Sequence, residues 1–306
     1  MAELNWYKGS LHNHTNRSDG DSEPEAVAQW YKRNGYDFIV YTDHNRVTRL
    51  KNNERWGSEQ RFLTIPGEEL SVRVNRGETA IHVNAIGIDR AVEPIEGPDV
   101  VSTLQANVDA ITQAGGIAAI DHPNYTWAFD HEHLKQVNGA TLLEIHNAHP
   151  VVNVFGGAGR PSCEEIWDGV LSTGKLIFGI ATDDSHEFQG DFTPRRGNPG
   201  RAWVVVRAAQ LTREDILGAL AAGAFYASTG VTLKEVDVGR AKVALQVEQE
   251  RDFVYTVKFI GRGGEVLSCT YGTESEYRPN GDEGYVRAAV TCSDGTKAWT
   301  QPVFMT

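Results

Sequence analysis

Ser10-Leu11-His12-Asn13-His14-Thr15-Asn16-Arg17-Ser18-Asp19-Gly20 is the stretch from which the rest of the chain is best read. Residues i and i+2 of a strand point to the same side, so His12 and His14 aim two imidazoles at one point. The turn signalled by Ser18-Asp19-Gly20 returns the Asp19 carboxylate toward them. Imidazole with carboxylate is the donor mix expected for zinc, manganese or iron. Alone, a His-x-His at a strand end is a weak signal. Its weight comes from similar strand endings further along the chain.

Outward from this stretch, Phe38-Ile39-Val40-Tyr41 is an apolar run that ends in Thr42-Asp43-His44. Phe62-Leu63-Thr64-Ile65 ends in Pro66-Gly67-Glu68-Glu69, and a run over 79–88 contains His82. Ile117-Ala118-Ala119-Ile120 ends in Asp121-His122, residues 141–145 lead into His146-Asn147, and residues 176–181 end in Thr182-Asp183-Asp184-Ser185-His186. Helices are expected between them. One follows a Ser22/Glu25 capping box and stops at Gly35; one covers 99–114; one follows a Ser162/Glu165 box; one begins near Thr212. Residues 46–60 read as polar loop. Strand, polar tip, helix, strand predicts a parallel α/β fold, in which reactive groups collect at the carboxyl ends of the strands. At least five apolar runs here end in His, Asp or Glu, an asymmetry that chance polarity does not produce.

Beyond about residue 232 the texture changes to short alternating runs (Val236-Asp237-Val238, 243–247, 253–259, 285–290) with turns at Gly261-Arg262-Gly263-Gly264 and Ser293-Asp294-Gly295. They predict antiparallel strands. The expected division is 1–231 as the barrel-like unit and 232–306 as a small β-rich region packed on it, because so short a piece buries little core alone.

The net charge of −12 argues against nucleic acid or a membrane surface as partner. A small-molecule substrate is the partner expected, and an anionic one is compatible because a metal site reverses the local sign. Cys163, Cys269 and Cys292 are too few and too scattered for a disulfide framework or a thiolate metal site. No run approaches a membrane span, and the first residues lack the pattern of a secretory signal, so the cytoplasm is the expected compartment.

His12, His14, Asp19, His44, Glu69, His82, His122, Asp184 and His186 are nine candidate ligands. Nine exceeds the three or four protein ligands of a mononuclear zinc site and suits two or three divalent transition-metal ions sharing carboxylates. Such ions, about 3.5–4 Å apart, clamp attacking and leaving oxygens and lower the pKa of a bound water toward 7. No Gly-x-Ser-x-Gly elbow, Walker loop or Gly-x-Gly-x-x-Gly fingerprint points to another chemistry. Neighbours on a strand face opposite ways, so only one of Glu68 and Glu69, and one of Asp183 and Asp184, is expected to be a direct ligand, and a register slip would promote Glu68 or Asp183. Asp43 and Asp121 are expected to orient ligands or cap helices.

In order, His12-x-His14, Ser18-Asp19-Gly20, Thr42-Asp43-His44, Gly67-x-Glu69, His82, Asp121-His122-Pro123 and Asp184-x-His186 resemble the motifs of the polymerase-and-histidinol-phosphatase (PHP) superfamily. The resemblance covers residues 7–186. The entry Trp6-Tyr7-Lys8-Gly9 and the C-terminal strands resemble the branch that includes carbamate-hydrolysing enzymes of the CehA type and small phosphoesterases. It implies a distorted (β/α)7 barrel with a di- or trinuclear centre, and gives the ligand role to the nine residues named. Where the family often has an aromatic residue after the fourth strand, this chain has His146, a candidate substrate contact.

The expected activity is hydrolysis of a small phosphomonoester or phosphodiester by metal-activated hydroxide. Asp19, Asp184 and His186 act at the reacting centre, with His186 or a neighbour protonating the leaving oxygen. Arg195 and Arg196 in the long loop 190–200, with Arg201 at its border, are candidates for holding phosphate oxygens. Hydrolysis of an uncharged carbamate, carboxylic ester or amide on the same centre is the alternative. A binding module without activity is a third reading, but no ligand is missing. An amidohydrolase barrel would supply a bridging lysine at a middle strand tip, and none is present. His131 and His133 read as solvated surface, and His149 as either pocket lining or structural.

Overall fold

The computed structural model describes residues 4–50 and 62–305; of the expected 46–60 loop, residues 51–60 lie outside the described part. The chain opens with β1 (Asn5–Ser10), α1 (Pro24–Arg33), β2 (Phe38–Val40) and β3 (Leu63–Ile65). Next come β4 (Gly67–Val74), β5 (Thr79–Ile86), α2 (Val100–Gln113), β6 (Ile117–Ile120), the single turn α3 (His131–Leu134) and β7 (Leu142–Asn147). The chain continues through α4 (Cys163–Leu171), β8 (Phe178–Thr182), β9 (Trp203–Ala208), α5 (Arg213–Ala221) and β10 (Phe225–Ser228). The C-terminal strands are β11 (Leu233–Gly239), β12 (Lys242–Val247), β13 (Tyr255–Ile260), β14 (Val266–Tyr271), β15 (Glu274–Tyr277), β16 (Tyr285–Cys292), β17 (Lys297–Thr300) and β18 (Val303–Phe304).

The result is a mixed α/β fold with several sheets and few helices. Among the described residues the largest sheet runs β14-β13-β16-β17-β10-β9-β1-β2-β3, with β18 on β16. A second runs β4-β5-β6-β7-β8 and a third β11-β12-β15. Only β1/β2, β2/β3, β6/β7 and β7/β8 pair in parallel. The expected (β/α)7 barrel is therefore not seen as a closed ladder, and no closed barrel is present among the described residues. The large sheets meet at isolated bridges instead, Asn13 with Ser185 and His44 with Glu69. The cause is local. A tight turn through Asn75, Arg76 and Gly77, all with positive φ, joins β4 to β5. So short a link permits only an antiparallel pair, since parallel neighbours need a crossover.

Helix ends follow local chemistry. Ser162 and Glu165 close a capping box on α4, and Asp99 and Ser102 do so on α2. The Ser22/Glu25 box is not formed: Glu23 is the N-cap, with Pro24 first in the helix, and the Ser22 hydroxyl donates to Asp21 Oδ1 at 2.8 Å. Helices α2 and α4 bury Leu104, Val108, Ile111, Ile166, Trp167 and Val170 against Val83, Ile120, Leu143 and Ile145 of the second sheet. On the other side, Ile216 and Leu220 of α5 pack with Val204 and Val206. Burying such a side chain contributes roughly 1.5–3 kcal/mol, so these two layers fix where the strand tips stand.

The C-terminal strands continue the first sheet, because β17 pairs with β10 through Tyr226 and Thr300, Ala227 and Trp299, and Ser228 and Ala298. A buried Arg287 on β16 reaches across to α4, with Nη2 2.6 Å and Nε 2.7 Å from the two Asp168 oxygens. No described helix is long and apolar enough to cross a membrane.

Candidate metal centre

Most candidate ligands stand past a strand end, whereas Glu69 lies near the start of β4 and His82 in the middle of β5. Asn13 bridges both sheets: its amide N–H donates to Thr42 Oγ1 and its side chain to Val40 O, while His14 N donates to Ser185 O at 2.8 Å. Asn13 thus faces the strands on either side, and His12 and His14 share the opposite side. Asp43 collects Thr15 N, Thr15 Oγ1 and Ser18 Oγ at 2.7–2.8 Å, which closes the turn that presents Asp19. At Gly67 a Cβ would lie 2.7 Å from Tyr41 O and 2.9 Å from Ala85 O. Only glycine permits the close corner that carries the chain into Glu69.

All nine side chains converge. Asp184 Oδ1 lies 3.2 Å from both His12 Nε2 and His14 Nε2. Glu69 Oε1 lies 2.6 Å from His82 Nδ1 and 3.5 Å from His122 Nε2; its Oε2 lies 2.8 Å from His44 Nδ1 and 3.4 Å from His14 Nε2. Asp19 stands 3.4 Å from His14, His44 and His186. The donors form overlapping groups: His14, Asp19, His44 and His186; His12, His14 and Glu69; His12, His122 and Asp184; and His44, Glu69 and His82. Glu69 belongs to two of them. Glu68 turns away to accept from Val92 N at 2.9 Å. Asp183 turns away to accept from the backbone of Gly200, Arg201 and Ala202 and from the Tyr31 hydroxyl.

The donor set fits divalent cations. His12 Nε2 and His14 Nε2 face each other at 3.2 Å, close enough to be offered to one cation. Both Glu69 oxygens and His82 Nδ1 are buried, and the imidazole nitrogens 2.6 and 2.8 Å from those oxygens are not angled to hydrogen-bond, so an ion would satisfy atoms that are otherwise costly to bury. Electrostatics agree. Burial opposes ionisation of Glu69 and Asp184, yet the surrounding imidazoles hold both carboxyls well below their usual range. Burial likewise opposes protonation of His44 and His186, yet the facing carboxylates lift them to about 10 and about 9. His14, buried and beside His186, falls to about 4. The carboxylates thus stay anionic in a buried site.

Three residues that the sequence did not single out complete the site. Glu144 on β7 is fully buried, its Oε1 2.7 Å from His12 Nδ1 and its Oε2 accepting from His122 N at 2.8 Å. Tyr125 and Val151 line the mouth with His149. A carboxylate inside Leu142-Leu143-Glu144-Ile145 was the available signal for Glu144, because a buried acid must find a partner. Asp121 lies 3.9 Å from His12 Nδ1. His131 and His133 lie on α3, away from the cleft, where His133 joins the Asp130 cap.

The cleft above this knot has a volume of about 210 Å³ and is lined by Asp19, His44, Glu69, His82, His122, Tyr125, His149, Val151, Asp184 and His186. His146, Arg195, Arg196 and Arg201 are not among its walls. A register shift in β7 between Glu144 and His146 breaks the same-side rule, so Glu144 faces the site and His146 faces Trp299. Arg195 is exposed, Arg196 Nε pairs with Glu187 at 3.0 Å, and Arg201 is occupied by Thr193 O and Asn198 Oδ1.

No family model and no curated protein matches the sequence. Among solved structures, a two-domain protein from Bacteroides vulgatus containing a predicted PHP-like metal-dependent phosphoesterase aligns over 99% of this chain and 88% of its own, with 18% identity and a TM-score of 0.53. An amidohydrolase from Chromobacterium violaceum with bound sulfate and no metal aligns over 61% of this chain and 93% of its own, with 16% identity and a TM-score of 0.43. With the strand-tip motifs standing in the same order as the resemblance implied, the chain has the fold of the Bacteroides vulgatus PHP-like protein.

Proposed function

We propose that the protein is a metal-dependent hydrolase of a small phosphomonoester or phosphodiester. The carrying observation is the overlap of donor groups through Glu69, His12, His14 and His44, with Asp184 3.2 Å from both His12 and His14. His12, His14, Asp19, His44, Glu69, His82, His122, Asp184 and His186 would hold two or three divalent transition-metal ions. Bound cations supply Lewis acidity, lowering the pKa of a coordinated water and neutralising charge that builds on substrate oxygens. The chain's own residues do the rest. Glu144 and Asp184 keep the His12 ring fixed from either side. Tyr125 and Val151 narrow the mouth and limit the substrate to a small group. His149, which lines the cleft with its ring centroid 5.2 Å from that of His186 and is not among the nine ligands, is left free to carry a proton to a leaving oxygen.

A second reading has its own observation. Among the described residues no lysine or arginine lines the cleft, so none of these cationic side chains would join the bound cations in recognising a phosphate dianion. That favours an uncharged carbamate or carboxylic ester as the alternative substrate. The experiment is kcat/KM of the metal-loaded protein on a panel of aryl phosphomonoesters, phosphodiesters, carbamates and acetates. The leading reading requires a phosphoester to be turned over at least as fast as any neutral ester. A neutral ester turned over far faster transfers the assignment to the alternative, and no turnover of any member overturns both.

A further inference from the structure

A second cleft, of about 390 Å³, lies between β7 and α4 on one side and β13, β16 and β17 on the other. It opens on the opposite side of the β7 bulge from the metal centre, and its volume is that of an ordinary small-molecule site. Its walls are aromatic. The His146 ring sits 5.8 Å from Trp299 and 6.3 Å from Phe155. Phe155 is 81% exposed, so its ring face is open at the cleft mouth. It rides on a segment in which Gly156, Gly157, Ala158 and Gly159 all have positive φ.

The polar groups of the cleft differ in how far they are committed. Glu164 is held by Arg287 Nη1 and Lys297 Nζ, each at 3.1 Å. Asp168 is held by Arg287 and the Tyr285 hydroxyl. Lys258 is exposed at the rim and forms no ion pair among the described residues. The Trp299 indole N–H is buried and directed at the Glu164 carboxylate, which it helps to hold in the anionic form. Aromatic edges beside one uncommitted cation suit an aromatic anion.

We propose that this cleft is a second small-molecule site, for a planar aromatic ring that carries a carboxylate. The ring lies among Phe155, His146 and Trp299, and the carboxylate meets Lys258. Nothing in this assignment depends on the chemistry of the metal centre.

The test is calorimetric titration of the full chain with indole-3-acetate, and with indole and acetate separately. Indole-3-acetate is expected to bind with a Kd below about 1 mM, and each fragment about tenfold or more weaker. Phe155→Ala and Lys258→Gln remove exposed side chains, so the fold is retained, and each is expected to weaken binding about tenfold. Arg195→Gln, on the other loop, leaves it unchanged. Four results overturn the proposal. They are no binding by the parent, binding unchanged in both variants, binding lost on chelation (which places the acid on the metal centre), and a fall in sedimenting mass in Phe155→Ala (which makes a second copy the occupant).

Discussion

Glu144 Oε1 stands 2.7 Å from His12 Nδ1, with both residues completely buried. The contact fixes the ring so that Nε2, not Nδ1, turns toward His14 and Asp184. Thr182 Oγ1 donates to the same oxygen at 2.5 Å, and Asn147 Nδ2 to the other at 2.9 Å. Glu144→Gln keeps the shape and removes the charge. Metal affinity is expected to fall about 10- to 100-fold, read by competition with a chromogenic chelator. Unchanged affinity sinks the orienting role.

Metal content follows from the way Glu69 joins donor groups. Purified protein refilled with zinc or manganese is expected to carry two or three equivalents by elemental analysis. Glu69→Gln should lose at least one, because two of the groups use that carboxylate. One equivalent or fewer in the refilled parent contradicts the multinuclear reading.

Asp183 and Asp184 are adjacent and should fail differently. Asp184→Asn is expected to abolish turnover and lower metal content while the thermal transition of the chelated protein barely moves. Asp183→Ala deletes the acceptor of three backbone N–H groups and the Tyr31 hydroxyl. It should cost on the order of 3 kcal/mol of stability, read by urea denaturation, while retaining metal. Equal metal loss in the two variants reverses the assignment of which carboxylate faces the ions.

Acid should destabilise the chain partly through His146. Burial, with a smaller push from Lys297, holds its folded-state pKa at about 4, below the ordinary 6.5. Between those values the unfolded chain binds the extra proton, so stability rises with pH across the window. The contribution is complete above pH 6.5 and is lost as pH falls to 4. It amounts to roughly 3 kcal/mol at most. His146→Gln should flatten the pH 4–6.5 limb of the stability profile; an unchanged slope removes His146 as its source.

Truncation after Val231 removes the strands that pair with β10 and leaves Tyr226, Ala227 and Ser228 as an open edge. It also leaves Asp168 without Arg287, and stripping one partner from a buried pair costs about 3–5 kcal/mol. The shortened chain is expected to aggregate, as judged by size-exclusion chromatography. A monomeric, fully active fragment would show that residues 1–231 stand alone.

What the sequence disclosed about the site depended on strand periodicity. That His12 and His14 share a side, and that one carboxylate of Glu68-Glu69 and one of Asp183-Asp184 turns away, followed from strand alternation; which one turns away did not. His146 escaped because a bulge in β7 cancels that periodicity, and a bulge leaves no mark in Glu144-Ile145-His146. Strand direction was read less well. The alternation in Leu70-Ser71-Val72-Arg73-Val74 and the turn at Asn75-Arg76-Gly77 are a hairpin signal, yet the βα rhythm around them pointed to parallel strands throughout. The loop arginines were placed by composition alone, which says nothing of partners such as Glu187 and Asn198.

Asp184 has a φ of +48°, in the left-handed region that few side chains other than Asn and Asp occupy at low cost. The position therefore answers to two demands at once. Glycine would satisfy the backbone but brings no oxygen. Glutamate brings a carboxylate on a longer stem and a backbone preference of the wrong hand. A saturation library at this codon would in effect be spelled with two letters, and only one of them carries the negative charge.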